Sequence, residues 1–389
     1  MNSLLQLPGR ILYGQGGIEQ ITGRIEYTGA KKVLLFSDKV LRGLGMTIPL
    51  ENAIAKAEVS LEIADNIKAE PSVADVEKTV SSIKEKRPDL LIALGGGSVM
   101  DTAKLAAVLL GGASYGLRDL LVNPLQAVKH CWTIMIPTTC GTGSEATCNA
   151  IVAIPEEQVK KGIVSPALIP DEVILDVDCI AALPPPIIAA TGVDALAHCV
   201  ECYTSKKATP LSDLYASAGA RLIFANIEKA YVSRDKEALE KMLLGAFYGG
   251  VAITGSGTTA VHALSYPLGG KYHIAHGVSN AILFATVMEF NQDACLFRLA
   301  SLCDTVYPEL FSKAEGEKAA FIIKRIKEIV KNTEIPANLK QFGVKESDLE
   351  DLVQSGSRQT RLLVNNMKEL TIDDIRSIYQ QVMQGALYE

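Results

Sequence analysis

Short apolar runs alternate with stretches of helical period through the first half of the chain, the pattern of βαβ units around a parallel sheet. Four runs predict strands: KVLLFS at Lys32–Ser37, DLLIAL at Asp89–Leu94, WTIMIP at Trp132–Pro137 and VILD at Val173–Asp176. Between the first two, Ser72–Lys86 has apolar positions at helical spacing, and Ser72 followed three residues on by Asp75 predicts a capped helix start. Near the N-terminus, Gly9–Tyr13 (GRILY) predicts an edge strand.

After Leu183-Pro184-Pro185-Pro186 the pattern changes to long segments at helical period with few strand-like runs, and Thr371-Ile372-Asp373-Asp374 is a further helix-start signal. A domain boundary near Pro184 follows. The predicted architecture is α/β plus all-α: a Rossmann-like, doubly wound dinucleotide-binding domain over 1–184 and a helical domain over 185–389. No internal repeat or low-complexity segment interrupts either half.

Composition narrows the class. The 389 residues are 48% hydrophobic and 21% charged, a globular balance that disfavours disorder. A net charge of −6 argues against a broad nucleic-acid surface. The opening MNSLLQLPGR lacks the basic and apolar regions of a signal peptide, and no apolar run reaches the roughly 18 residues of a membrane span. Eight cysteines without regular spacing fit reduced thiols better than a disulfide framework, so a cytoplasmic protein is expected.

Two loops carry candidate nucleotide chemistry. Gly95-Gly96-Gly97-Ser98 ends a predicted strand and opens a helix, where glycines admit a phosphate to free N–H groups and a helix dipole. It is not G-x-G-x-x-G, and tight packing alone also selects glycine there. Pro137-Thr138-Thr139-Cys140-Gly141-Thr142-Gly143-Ser144-Glu145 follows the next strand, and such loops line the nucleotide crevice at the carboxyl edge of parallel sheets. Together the two favour a dinucleotide over simple turns. Asp38, just after KVLLFS, can accept from ribose hydroxyls and repel a 2′-phosphate, which favours NAD(H) over NADP(H); a helix N-cap is the other use of an Asp there.

The histidines point to a metal. Of only five, four (His198, His262, His273 and His276) fall in the helical half. Asp194 and His198 are four apart, so both project from one helix face. Pro267, Gly269 and Gly270 are expected to break any helix between His262 and His276, letting the two rings converge from separate elements. A lone histidine on an apolar helix is usually a core residue, but this cluster in a His-poor chain favours a metal site. Cys199-Val200-Glu201-Cys202 is a C-x-x-C with no second pair and no strand before it, and is read as structural. Cys140, within a nucleotide loop, is read as the thiol most open to oxidation, a small buried thiol being the simpler alternative.

These residues resemble the iron-containing, or group III, alcohol dehydrogenases over essentially the whole chain. The likeness rests on GGGSVMDTAK at 95–104, PTTCGTGSE at 137–145, ATGVDALAHCVE at 190–201, AVHALSYPLGG at 260–270 and AHGVSNAI at 275–282, in the family's order and spacing. The resemblance implies a divalent metal, Fe2+ before Zn2+, held by Asp194, His198, His262 and His276. It implies NAD contacts from Asp38, Gly95, Gly96, Gly97, Ser98, Asp101, Thr138, Thr139, Thr142, Ser144, Thr147 and Lys160. It further implies a small alcohol or aldehyde substrate, including diols and sulfonated or phosphonated C2–C3 aldehydes, and a homodimer, which the strand at Gly9–Tyr13 could join. By position relative to the motifs, Asn149, Ile253, Lys271, Arg361 and Leu362 are expected to line the substrate pocket.

Two departures bear on the proton. Tyr266 stands where the family commonly has a second histidine, and Ala275 replaces a proline common before the last ligand. With an ordinary pKa near 10, Tyr266 is a poor acceptor at neutral pH. His273, three residues before His276 and expected on the same helical turn, becomes the candidate relay, with solvent water as the alternative. A non-redox relative of the dehydroquinate synthase type is the competing enzyme reading, but its highly charged pocket is not suggested by ATGVDALAHCVE. A catalytically inactive metal-binding scaffold is the third reading, and it would need neither set of glycine loops.

Overall fold

The computed structural model describes residues 4–112, 114–157, 159–336 and 338–385. The chain divides into two compact units, Gln6–Ala182 and the segment from Leu183 onward with the N-terminal Leu4 and Leu5.

In the first unit the strands are β1 Arg10–Tyr13, β2 Lys32–Phe36, β3 Ser60–Ala64, β4 Leu90–Gly95, β5 Trp132–Pro137, β6 Asn149–Ile154, β7 Val159–Val164 and β8 Glu172–Leu175. Its helices are α1 Ile21–Thr28, α2 Lys39–Gly43, α3 Ile48–Ala55, α4 Val73–Ile83, α5 Gly97–Leu109 and α6 Leu117–Val122. Six strands form one parallel sheet in the order β1-β8-β5-β4-β2-β3.

Successive residues of a strand point to opposite faces, and both faces here are covered. Leu34, Phe36, Leu91, Ala93 and Met135 meet Val76 and Val80 of α4 and Met100 and Ala103 of α5. On the opposite face Val33, Leu35, Ile92, Ile134 and Ile174 meet Ile21 and Ile25 of α1 and Leu50 and Ile54 of α3. That is the doubly wound arrangement expected from the near-continuous apolar runs. The Ser72–Asp75 capping box starts α4 as expected, and β1 lies at the sheet edge.

Two features escape the sequence pattern. β3 (SLEIA) alternates polar and apolar residues because it is the other edge strand and faces solvent. β6 and β7 form a separate antiparallel hairpin, and Lys160-Lys161-Gly162 in β7 mask its strand character.

The second unit is helical: α7 Pro185–Tyr203, α8 Pro210–Ser233, α9 Lys236–Ser256, α10 Ala260–Tyr272, α11 His276–Asn291, α12 Leu296–Val306, α13 Glu315–Asn332, α14 Leu349–Ser357, α15 Thr360–Leu363 and α16 Ile372–Gln384. The expected break at Pro267–Gly270 does not occur: α10 runs through all three residues. Burial of Ala260 to Gly269 without interruption supplies the packing that outweighs one missing N–H. The chain turns instead at His273, which takes a left-handed conformation (φ 54°) as the C-cap of α10.

Among the described residues, no helix is long and apolar enough to cross a membrane.

Candidate functional site

Helix α7 is buried from Gly192 to Tyr203, and along it Asp194, His198 and Glu201 recur at four and three residues, one face of a helix. His262 comes from the first turn of α10, while α11 contributes His276 as its first residue and Asn280 one turn later. Gly277 permits the approach: a Cβ there would lie 2.2 Å from the carbonyl oxygen of Ala190 on α7, so only glycine lets α11 start against that helix.

Asp194, His262 and His276 present donor atoms all within 4.8 Å of one another. Asp194 Oδ1 lies 3.5 Å from His262 Nε2, 3.8 Å from His276 Nε2 and 3.7 Å from His198 Nε2. These gaps are too long for hydrogen bonds and close to the about 3.4 Å that separates two ligands bonded at about 2.1 Å to a tetrahedral ion. The His198 ring stacks on His262 with centroids 4.6 Å apart. One carboxylate and neutral imidazoles suit Fe(II) and Zn(II) alike, so the donor set fits a divalent metal.

Charge is concentrated and buried here. Burial alone would raise the Asp194 carboxyl and lower the His262 imidazole, but the facing groups outweigh it: the imidazoles hold Asp194 well below the usual carboxylate range, and Glu201 and Asp194 carry His262 up to about 9. Glu201, fully buried, is likewise held low against its own burial by His262 and Thr259.

The pocket expectations divide. Tyr266 is buried, its ring 6.0 Å from that of His276, and it packs with Ala263 and Leu362 in one apolar cluster. Burial raises its phenol, while Arg361 beside it pulls the other way. Ile253 is half-buried on α9. Lys271 does not face this cluster: its ammonium is 3.1 Å from Asp351 and 3.8 Å from Asp348, and those carboxylates draw it to the surface. His273 is exposed and lies between helices, so it shares no helical turn with His276, and the geometric basis for a relay is gone.

In the first unit the glycine loop enters α5 from β4. A Cβ on Gly95 would lie 2.6 Å from Val99, and one on Gly97 would lie 3.1 Å from Thr142, so the two loops abut. Gly96 caps α5 without a side-chain acceptor, and Thr139 Oγ1 is buried without a hydrogen-bond partner. Packing thus keeps Gly95 and Gly97 small, while Gly96, beside the orphaned Thr139 hydroxyl at a helix N-terminus, is suited to a bound dinucleotide. The amide of Thr138 donates to Gly95 O at 3.1 Å, and Ser98 Oγ accepts from Glu70 N at 3.0 Å. Lys160, on the hairpin, donates to Glu70 Oε1 at 2.5 Å.

Asp101 and Ser144 face each other rather than outward. Ser144 Oγ donates to Asp101 Oδ1 at 2.5 Å, and Ile151 N donates to Oδ2 at 2.9 Å. Lys104, 1% exposed, donates to Ser144 O at 2.9 Å, to Thr147 Oγ1 at 3.3 Å and to the main-chain oxygen of Asn149. Asp38 caps α2, its Oδ1 accepting from Val40 N and Leu41 N at 2.9 Å each. Cys140 is fully buried, which removes the oxidation-sensitive reading in favour of the packed thiol. Cys199 and Cys202 are also buried within α7, with burial pushing the Cys202 thiol up to about 12.

Three functional groups were missed in the sequence. Glu201 accepts from His262 Nδ1, and Asn280 donates to Asp194; they follow His198 by three residues and His276 by four, the spacing of one helix face, and could have been found by extending it. Lys104 closes the GGGSVMDTAK motif, but nothing in the sequence tells that its ammonium is turned inward.

Residues 8–177 match the profile described as iron-containing alcohol dehydrogenase, and residues 188–383 that of the Fe-containing alcohol dehydrogenase family, C-terminal. The chain is 35% identical over 379 residues to long-chain-alcohol dehydrogenase 1 of Geobacillus thermodenitrificans, covering 97% of this chain and 95% of that protein. Its fold is similar to that of 1,3-propanediol oxidoreductase, with TM-score 0.91 and 28% identity over 98% of this chain and 100% of the other. It is also similar to sulfoacetaldehyde reductase from Bifidobacterium kashiwanohense in complex with NAD+, with TM-score 0.88 and 26% identity over 98% and 99% of the two chains.

Proposed function

The chain belongs to the iron-containing alcohol dehydrogenase family, and from that premise we propose that it passes hydride between NAD(H) and a small alcohol or aldehyde at a metal held by Asp194, His198, His262 and His276. The observation that carries this reading is the convergence of the Asp194, His262 and His276 donors on one buried point. A divalent metal there supplies a Lewis acid that lowers the pKa of an alcohol or polarises a carbonyl.

The chain's own residues do the rest. Glu201 accepts a hydrogen bond from His262 Nδ1, which orients the ring with Nε2 toward the donor cluster. Asp194 brings negative charge to the same point. Tyr266, Ala263 and Leu362 present an apolar wall beside His276, which keeps water from the reacting carbon. Arg361, next to Tyr266, would favour a substrate carrying an anionic or polar tail. In the first unit, Gly95–Gly97 and the Thr139 hydroxyl receive the dinucleotide, with Thr138, Thr142 and Ser98 around them. Lys160 pairs with Glu70, whose amide donates to Ser98 of the first loop, and Asp101, Ser144 and Thr147 hold the second loop in place. Asp38 keeps Oδ2 for the ribose hydroxyls while Oδ1 caps α2, and this supports NAD(H) over NADP(H).

The wider assembly is part of the same reading. The edge strand β1 is the surface offered for a two-fold homodimer, and the eight free, buried cysteines fit a reducing cytoplasm.

The test is metal analysis of anaerobically purified protein, followed by NADH oxidation with a panel of short aldehydes and NAD+ reduction with the matching alcohols. About one metal per chain, loss of turnover in His262→Ala with retained NADH binding, and a higher kcat/KM with NADH than NADPH are expected. Full turnover after complete metal removal would refute the mechanism.

A further inference from the structure

The carboxamide of Asn280 occupies an unusual place. Its Nδ2 lies 2.6 Å from Asp194 Oδ1, 3.1 Å from His262 Nε2 and 3.2 Å from His276 Nε2. One nitrogen therefore touches all three of the groups whose donor atoms cluster. The residue is fully buried, and its Oδ1 has no hydrogen-bond partner.

Chemistry fixes which end of the amide faces the cluster. With the amide reversed, Oδ1 would stand 2.6 Å from a carboxylate oxygen, two acceptors in contact. Asp194 Oδ1 therefore accepts from the Asn280 amide, beside the Nε2 atoms of His262 and His276. In making this bond the amide leaves its own oxygen unsatisfied. Packing alone does not account for such a placement, since an apolar side chain of equal volume would avoid the orphaned oxygen.

We propose that Asn280 is a positioning residue for the metal ligands: its Nδ2 donates to Asp194 Oδ1 and holds that carboxylate in the rotamer that faces His262 and His276 before any metal arrives. Asn280 sits one helical turn after His276 on α11, so the same helix supplies a ligand and the group that orients it. The role parallels the hydrogen bonds that commonly orient metal ligands, whose loss typically lowers metal affinity about 10- to 100-fold. The inference rests on the proposed metal reading.

The experiment compares wild type with Asn280→Leu, which keeps the volume and removes the donors. Zn2+ affinity is measured by chelator competition, the Co2+-substituted protein by its visible spectrum, the Tm with and without Zn2+, and the NADH Kd as a control distant in sequence. Asn280→Leu is expected to bind Zn2+ about 10- to 100-fold more weakly, with an altered Co2+ spectrum and an unchanged NADH Kd. If the leucine variant does not fold, Asn280→Ser, which is smaller and shortens the reach of the donor, is read in the same assays with the same expectation. A folded variant with wild-type Zn2+ affinity and Co2+ spectrum would overturn the role of Asn280. A wild-type protein that binds no divalent metal would overturn the metal reading itself, a separate outcome.

Discussion

Glu201 and His262 form a buried pair in which the imidazole Nδ1 donates to one carboxylate oxygen, while the other accepts from Thr259 N at 3.0 Å, Thr259 Oγ1 at 2.6 Å and Val261 N at 2.8 Å. Every lone pair that matters is used, so the start of α10 and the ring of His262 are set by one side chain from α7. Glu201→Gln puts an amide NH2 against one of these donor groups. The expected outcome is metal affinity lowered about 10- to 100-fold, measured by chelator competition. Unchanged affinity would show that the ring is oriented by packing alone.

A second buried pair holds the nucleotide loops. Lys104 Nζ stands 3.0 Å from Asp101 Oδ1, and between them the two side chains bind residues 144, 147, 149 and 151. Lys104→Met leaves Asp101 charged, buried and without its cation, a change that typically costs about 3–5 kcal/mol. The double variant Asp101→Asn/Lys104→Met should recover part of that loss, because no lone charge remains. Urea denaturation measures both, and KM for NADH should rise more than kcat falls, since the loop rather than the metal is displaced.

What could be read from the sequence follows the physics of each region. The core strands are continuous apolar runs because both faces of the sheet are covered, and their pattern was plain. β3 and β7 carry exposed polar residues, so their period was masked. The cluster of Asp194, His262 and His276 with His198 beside it was legible because a helix repeats its face every three to four residues and histidine is rare here. Pro267, Gly269 and Gly270 misled because local propensity is outweighed where a helix is buried all round, and with the helix intact the turn moved to His273. The destinations of Lys271 and Lys104 depend on partners 80 and 40 to 45 residues away, which spacing does not encode.

Glu145 ties stability to pH. It is fully buried in the second nucleotide loop, and burial raises its carboxyl from 4.5 to about 7 despite Lys104 nearby. Between those values the folded protein holds a proton that the unfolded chain has released, so stability falls as pH rises through this window and levels off above about 7. The full effect is on the order of 3 kcal/mol. Glu145→Gln cannot ionise, so it should exceed wild type in stability at pH 8 and match it near pH 5. Urea denaturation at several pH values checks this; equal stability of the two proteins at pH 8 would discount a buried, ionising Glu145.

The last prediction concerns His273. A relay between the reacting oxygen and solvent needs a hydrogen-bonded path of about 2.6–3.2 Å steps, directly or through water. A shared helical turn with His276 would have supplied the first step, but α10 ends at Tyr272, α11 begins at His276, and His273 adopts φ 54° in the exposed turn between them. Its conformation suits a helix C-cap, where Asn or Gly serves as well. Tyr266 is no substitute, since burial raises its phenol above an ordinary value already too high for a base at neutral pH. The proton is therefore expected to leave through water. His273→Asn should keep metal content, kcat for alcohol oxidation within about twofold, and the same pH–rate profile, whereas a relay would show a loss of about 10²- to 10⁴-fold that shrinks as pH rises. Stopped-flow measurement of NADH formation from pH 6 to 9 separates the two.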